Sequence, residues 1–354
     1  MYYFLKASKD ATVYNQSNYN TGLDEILEVT KLYNNNQHNI ARSLLKFDFE
    51  PISASIHSGD IVLDDVRLYL KETESNMVGL DFTIEAYPIS QSWEMGIGTK
   101  YGELSTDGVS WYKRIGESDT LWLDSYDGFE ENSTGSYYGF GGTYYNYISG
   151  SQEFKYKTVD INMDIKDIVL EWVSGSISND GVILKYSNEL ENSLLNYGNL
   201  KFFSKETKTI YQPKIRIGWD DQTFNTGSLT PVPEGDIVVN FINFKPEYKV
   251  NTIPIIRLSG RKLYPVKEFN TTFRYQVNNY IPATAYYEVQ DYISGDTIIP
   301  FSEYSKISCD NQSNFIKLNL TNWEVNRVYS IIIKVVHGDY DYYFDGDYRF
   351  KVVE

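Results

Sequence analysis

The chain has a single cysteine, Cys309, in 354 residues. An intramolecular disulfide and a cysteine-based zinc cluster are therefore excluded, and a partly buried free thiol is expected. Histidine is almost as scarce. His38, His57 and His337 lie far apart and share no metal-ligand spacing. No window reaches 18 continuous apolar residues, so no transmembrane helix or membrane insertion is expected. The opening MYYFLKASKDATVY lacks a basic stretch followed by an apolar run of signal-peptide length. The expectation is a chain made in the cytoplasm and soluble there. Its five N-x-S/T sequons, at Asn15, Asn132, Asn270, Asn311 and Asn319, then read as chance products of an Asn-rich sequence. Positive charge is also short: 32 Lys and Arg face 48 Asp and Glu, a formal net charge of −16. Such a field repels phosphate backbones and argues against nucleic acid as a partner.

Catalytic signatures are missing as well. There is no HExxH, no Walker-type glycine loop and no GxSxG. The glycines of GFGG, Gly139–Gly142, follow no strand that opens a helix, so a dinucleotide site is a poor reading. A glycosidase needs only two carboxylates, so the abundance of acid excludes nothing. No converging set of groups is legible, and a non-enzymatic role is expected.

What is present is aromatic. The chain holds 32 Tyr, 18 Phe and 6 Trp, and 42% of its residues are hydrophobic. Aromatic and β-branched side chains favour pleated surfaces, and there is enough apolar material for packed cores. Length favours two or three domains. Period-two alternation predicts strands over Ala7–Tyr14, Glu25–Leu32, Arg42–Phe49, Val62–Leu70 and Asp81–Tyr87. Further strands are expected over Thr158–Met163, Gly181–Tyr186, Leu200–Ser204 and Lys214–Trp219. One segment breaks the pattern: apolar residues at 165, 168, 169, 172 and 173 have helical spacing, ended by Gly175. Residues 222–236, QTFNTGSLTPVPEGD, combine two prolines, two glycines and small polar residues, and read as a linker. Beyond it, seven candidate strands fall in under 120 residues: Ile237–Phe244, Ile253–Leu258, Phe269–Asn278, Ala285–Gln290, Phe315–Leu320, Arg327–Val336 and Asp347–Val353. That count suits an immunoglobulin-like sandwich. The expected fold is all-β: a jelly-roll sandwich over 1–221, a linker over 222–236, and a smaller immunoglobulin-like sandwich over 237–354.

Two regions are candidates for function. From Pro88 to Ser151 the alternation loosens, and Tyr137, Tyr138, Tyr144, Tyr145 and Tyr147 stand among glycines. Long loops often carry function. These rings suit either a binding platform for sugars or a protein partner, or a covering folded over one face of the sandwich. Separately, Asp10, Asp24, Asp48, Asp164 and the cluster Asp339, Asp341, Asp345 and Asp347 could offer oxygens to calcium. The run Gly338–Asp347 equally suits a solvated hairpin tip. No other cofactor is expected.

The first 220 residues resemble the DNRLRE-type domain, a jelly-roll module related to carbohydrate-binding modules. The resemblance is carried in order by Lys9–Tyr14, by Asn20-Thr21-Gly22 with Ile26–Val29, and by Arg42–Asp48. It continues through Ser92–Gly98, Gly108–Trp111, Asp160–Met163, Glu171-Trp172, Asn179–Val182 and Pro213–Ile217. The stretch 112–155 is longer and richer in tyrosine than the family pattern. The last 120 residues more loosely resemble immunoglobulin-like appendages of phage tail, neck and baseplate proteins, through Trp323–Val336 and Tyr348–Val352. The resemblance implies a structural component of a tailed-bacteriophage virion, placed in the neck, tail, baseplate or a fibre attachment. It implies other virion proteins as partners, and a homo-oligomer in a symmetric assembly. The alternative is a carbohydrate-binding adhesin or receptor-binding module whose tyrosines stack on a surface glycan.

Overall fold

In a computed structural model of the chain, the described residues are 1–76, 78, 81–102, 104–122, 140–155, 160–233, 235–264, 279–338 and 340–354. The protein is all-β, of sandwich type. It divides into two compact units: Leu5–Ile217, and Gly218–Glu354 together with Met1–Phe4.

The first unit begins on β1 (Tyr2–Tyr14), followed by β2 (Ile26–Asn34) and β3 (Gln37–Phe47). After α1 (Glu50–His57) come β4 (Asp65–Leu70), β5 (Asp81–Pro88), β6 (Lys113–Ile115), β7 (Thr120–Leu121), β8 (Gly150–Lys155) and β9 (Ile161–Asp164). The short helix α2 (Lys166–Ser174) precedes β10 (Val182–Tyr186), α3 (Asn188–Asn192), β11 (Gly198–Phe203) and β12 (Lys214–Gly218). One edge of β3 pairs with β1. Its other edge pairs first with β2 and then with β10, so the sheet forks there. One branch runs β3-β10-β5-β8. The other nearly closes on itself. It runs β3-β1-β12-β4, and the chain just past β4 bridges β11 at Glu72–Phe202 and Asn76–Asn199, while β11 pairs with β2 and β2 with β3. Closure removes exposed edges. Where the fork opens, Trp93, Trp111, Trp122, Tyr87 and Tyr144 fill the space around Leu44 and Ile183.

The spacing-predicted helix is α2. It buries Ile168, Val169 and Trp172, and ends at Gly175, whose φ of 76° is left-handed. Helix α1 was not expected. Its eight residues bury only Ile52, too short a run for a periodic signal.

The second unit holds β13 (Thr230–Pro231), β14 (Ile237–Phe241), β15 (Glu247–Lys249), β16 (Ile255–Lys262), β17 (Asn279–Tyr280) and β18 (Ala285–Asp291). After these come β19 (Thr297–Ile299), β20 (Ser308–Cys309), β21 (Asn314–Lys317), β22 (Val328–His337), β23 (Tyr340–Phe344) and β24 (Arg349–Val353). One sheet is ordered β13-β17-β16-β21-β20 with β14 beside β16. The other is ordered β15-β24-β22-β18-β19 with β23 beside β22. Alternate residues of β22, Tyr329, Ile331, Ile333 and Val335, enter one core with Ile256, Leu258, Trp323 and Phe350. Tyr2 and Phe4 belong to that core too.

The segment 222–236, expected to link two domains, is built into this unit. The Gln222 amide donates to the Ala283 and Ile307 carbonyls, Thr230 and Pro231 pair with β17, and Val232 is buried. Proline and glycine mark turns, but turns occur inside units as well as between them. Gly338–Asp347 is likewise more than a tip. Tyr340–Phe344 forms β23, because Tyr342 and Phe344 alternate onto the core. The expected strand Phe269–Asn278 lies outside the described residues.

Candidate functional site

Of the five tyrosines singled out, Tyr137 and Tyr138 lie outside the described residues. The other three separate. Tyr144 is fully enclosed with its ring tilted against Tyr87 at 4.6 Å, and Tyr145 is buried. Neither can offer a ring face to a ligand. Tyr147 is 60% exposed and packs against Tyr145. Tyr144 and Tyr145 are packed inward. Hydrophobic burial is worth more to a large ring than exposure, and glycines let the loop follow the surface it covers.

Tyr144 helps to cover a buried charge cluster. Glu191, carried on α3, receives a two-pronged pair from Arg42 at 3.1 and 2.7 Å, and Lys185 approaches it at 3.2 Å. All three side chains are buried. Arg42 also donates to the Gly141 carbonyl and lies over the Trp111 ring, and Lys185 donates to Asn188. Burial alone would raise the Glu191 carboxyl, but Arg42 and Lys185 hold it below its ordinary range. Burial pushes Lys185 down to about 8, opposed by Glu191 and reinforced by Arg42. These groups satisfy one another behind a wall of aromatics.

The motifs that carry the family resemblance meet around Asn20. Its amide donates to the Met95 and Val109 carbonyls and accepts from the Gly22 and Gly98 amides. Thr21 donates to Thr12, and Trp93 donates to the Asp180 carbonyl. Gly108, at φ 87°, has Gly96 so close that a Cβ would lie 2.4 Å from its Cα. Loops distant in sequence are thereby tied to one buried side chain.

Beside this knot a groove of about 290 Å³ opens. Glu28, Thr30 and Leu32 share one face of β2, because alternate residues point the same way. Asn199 of β11 stands opposite Thr30 and accepts its hydroxyl at 2.9 Å. The Glu28 carboxylate accepts from Lys100 at 2.7 Å and from Asn199 at 3.2 Å. The Lys100 ammonium lies 4.4 Å over the Tyr14 ring. The Tyr14 hydroxyl is buried, and burial, with Glu28 and Asp24 nearby, raises it well above the usual phenol range. Tyr19 and Leu104 line the mouth, and the adjoining surface exposes Leu23, Ile97 and Tyr101, the last at 89%. Sequence reasoning passed over this site. Glu28 and Thr30 read as the polar half of a strand, and no local signal places Asn199 or Lys100 beside them.

Of the acidic residues considered for calcium, six make protein contacts. Asp10 accepts from the Lys205 amide, Asp24 from the Lys100 amide, Asp48 from Glu50 and Asp164 from Lys166. Asp341 pairs with Lys334 and Asp347 with Arg349, while Asp339 lies outside the described residues. Among the described residues no cluster of three or more His, Cys, Asp or Glu is placed to hold a metal ion. Cys309 is free and buried, and burial raises its thiol to about 11. Among the described residues no helix is long and apolar enough to cross a membrane.

No protein-family model matches the chain, and no curated protein matches it either.

Proposed function

We propose that the chain is a structural component of a tailed-bacteriophage virion, in the neck, tail, baseplate or a fibre attachment. It works through protein–protein assembly, as a homo-oligomer among other virion proteins. The observation that carries this reading is the apolar surface of Leu23, Ile97, Tyr101 and Leu104. The Asn20 amide donates to the Ser105 carbonyl and the Leu23 amide to the Gly98 carbonyl, beside these exposed side chains. Exposed apolar groups with tyrosine among them suit interface anchors. The resemblance of 7–220 to DNRLRE-type domains, and of the second unit to phage immunoglobulin-like appendages, supports the same reading. So does the enclosure of Arg42, Lys185 and Glu191, which keeps them from any substrate outside the chain.

The test is compositional. Mass spectrometry of purified phage particles from the host that carries the gene should find this chain at fixed stoichiometry. Its absence from intact particles would falsify the proposal. Tyr101→Ser together with Ile97→Ser should weaken incorporation or self-association in sedimentation experiments, and leave the melting temperature unchanged.

A further inference from the structure

Lys185 is fully buried beside three groups that together equip it to react. The first is Asn188, at the start of α3, whose carboxamide oxygen accepts from the Lys185 nitrogen. The carbon bonded to that oxygen is an electrophile. The second is Glu191, further along α3, with a carboxylate oxygen 3.2 Å from Nζ. The third is Tyr144. Its hydroxyl donates to the same Asn188 oxygen at 3.3 Å, and its ring lies 5.6 Å from Nζ. A nucleophile, a carbonyl, a proton carrier and a donor aimed at the carbonyl oxygen thus meet at one point.

The charges favour a neutral Lys185. It shares Glu191 with Arg42, which already bonds both carboxylate oxygens. Glu85 acts on Lys185 more weakly than Glu191 does. Burial, reinforced by Arg42, lowers the ammonium to about 8, so part of the amine is free at neutral pH.

We propose that Lys185 and Asn188 become joined by an intramolecular isopeptide bond, which the folded chain forms on itself. Lys185 first loses one proton to solvent. The free Nζ then attacks Asn188 Cγ, and the carbonyl electrons move onto Oδ1, where the Tyr144 hydroxyl stabilises the charge. The attacking nitrogen is now cationic and strongly acidic, so even a carboxylate paired with Arg42 accepts its proton. Glu191 passes that proton to Asn188 Nδ2, the Cγ–Nδ2 bond breaks, and ammonia leaves. Asn188 is itself exposed, which gives the ammonia a way out. One amide replaces another, with no oxidant and no water consumed. Lys185 loses its charge, and Arg42 and Glu191 remain as a pair. The bond ties the end of β10 to the segment that carries Glu191, without a cysteine. It is independent of the assembly reading, and its failure leaves assembly untouched.

The test is mass spectrometry of the full chain, purified folded and then digested with trypsin in denaturant. Residues 167–201 should appear as one peptide, uncut after Lys185 and lighter than its sequence by one ammonia. Its fragmentation should yield no ions from single backbone breaks between 185 and 188, because the side-chain bond holds the two parts together. Lys185→Arg keeps a cation beside Glu191 but has no amine to attack, and Asn188→Ala removes the electrophile at an exposed position. Both should show the full mass of their sequences. A folded parent chain that is cut after Lys185 and has lost no ammonia would overturn the proposal. So would an ammonia loss that persists in either variant, because it would then come from another site.

Discussion

Glu191 faces two buried cations, Arg42 and Lys185, and its neutralisation removes the charge that pairs with both. Glu191→Gln should therefore destabilise the protein by about 3–5 kcal/mol in urea titration, far more than a surface pair would cost. Asp10 is the opposite case, an acid that the fold would rather keep protonated. Burial raises it to about 7, partly offset by the Lys205 amide. An unfolded aspartate titrates near about 3.9. Its contribution to stability is therefore greatest below about pH 4, falls as pH rises, and is fully lost above about pH 7. Asp10→Asn keeps an acceptor for the Lys205 amide and has no charge to bury. Its stability relative to the parent should rise between pH 4 and pH 8, by about 2–4 kcal/mol. A flat difference across that range, measured by denaturant unfolding, would contradict the assignment. Neither role could be read from one sequence. Asp10 looks like any acid opening a strand, and Glu191 like any acid of a short polar segment.

Elements fared better where the local pattern and the final environment agree. Strands β5, β18 and β22 alternate because one face meets a core, and α2 keeps helical spacing because one stripe does. Gly175 ends α2 in the left-handed region, with open space where a side chain would go. Gly175→Ala should therefore cost about 1 kcal/mol through conformation alone, visible as a small fall in melting temperature, and Gly175→Asn less. Elements were missed where the pattern is short or the chemistry misleads. Strand β8 has only two buried residues in its six, and α3 has five residues, of which the buried one is a charge. In β23 the aspartates drew attention from the alternation of Tyr342 and Phe344. The tyrosines of 137–147 left two readings open, a platform or a covering, and only packing shows that Tyr144 and Tyr145 are buried.

At the scale of the whole molecule, sequence order and spatial unit part company at the N-terminus. Tyr2 donates to or accepts from Ser302 at 2.6 Å, and Phe4 packs edge-on against Trp323 at 6.0 Å, inside the core of the 218–354 unit. Phe4→Ala should cost about 3–5 kcal/mol as a cavity in that core. Hydrogen exchange read peptide by peptide should show protection falling in β22 and β24, and little change in β2 and β11. Equal loss in both units would show that they do not unfold separately.

The sequence by itself determined the class of fold, the absence of disulfide and cysteine-zinc chemistry, and most strands. Each of these depends on composition or on periodicity within about ten residues. Tertiary structure alone decided which residues form sites. Asn20 gathers loops from positions 95, 98 and 109, Glu191 meets Arg42 across 149 residues, and Thr30 meets Asn199 across 169. Such meetings depend on strand pairing between distant segments. No local propensity encodes that pairing, because it is settled only when the sheets close around their cores.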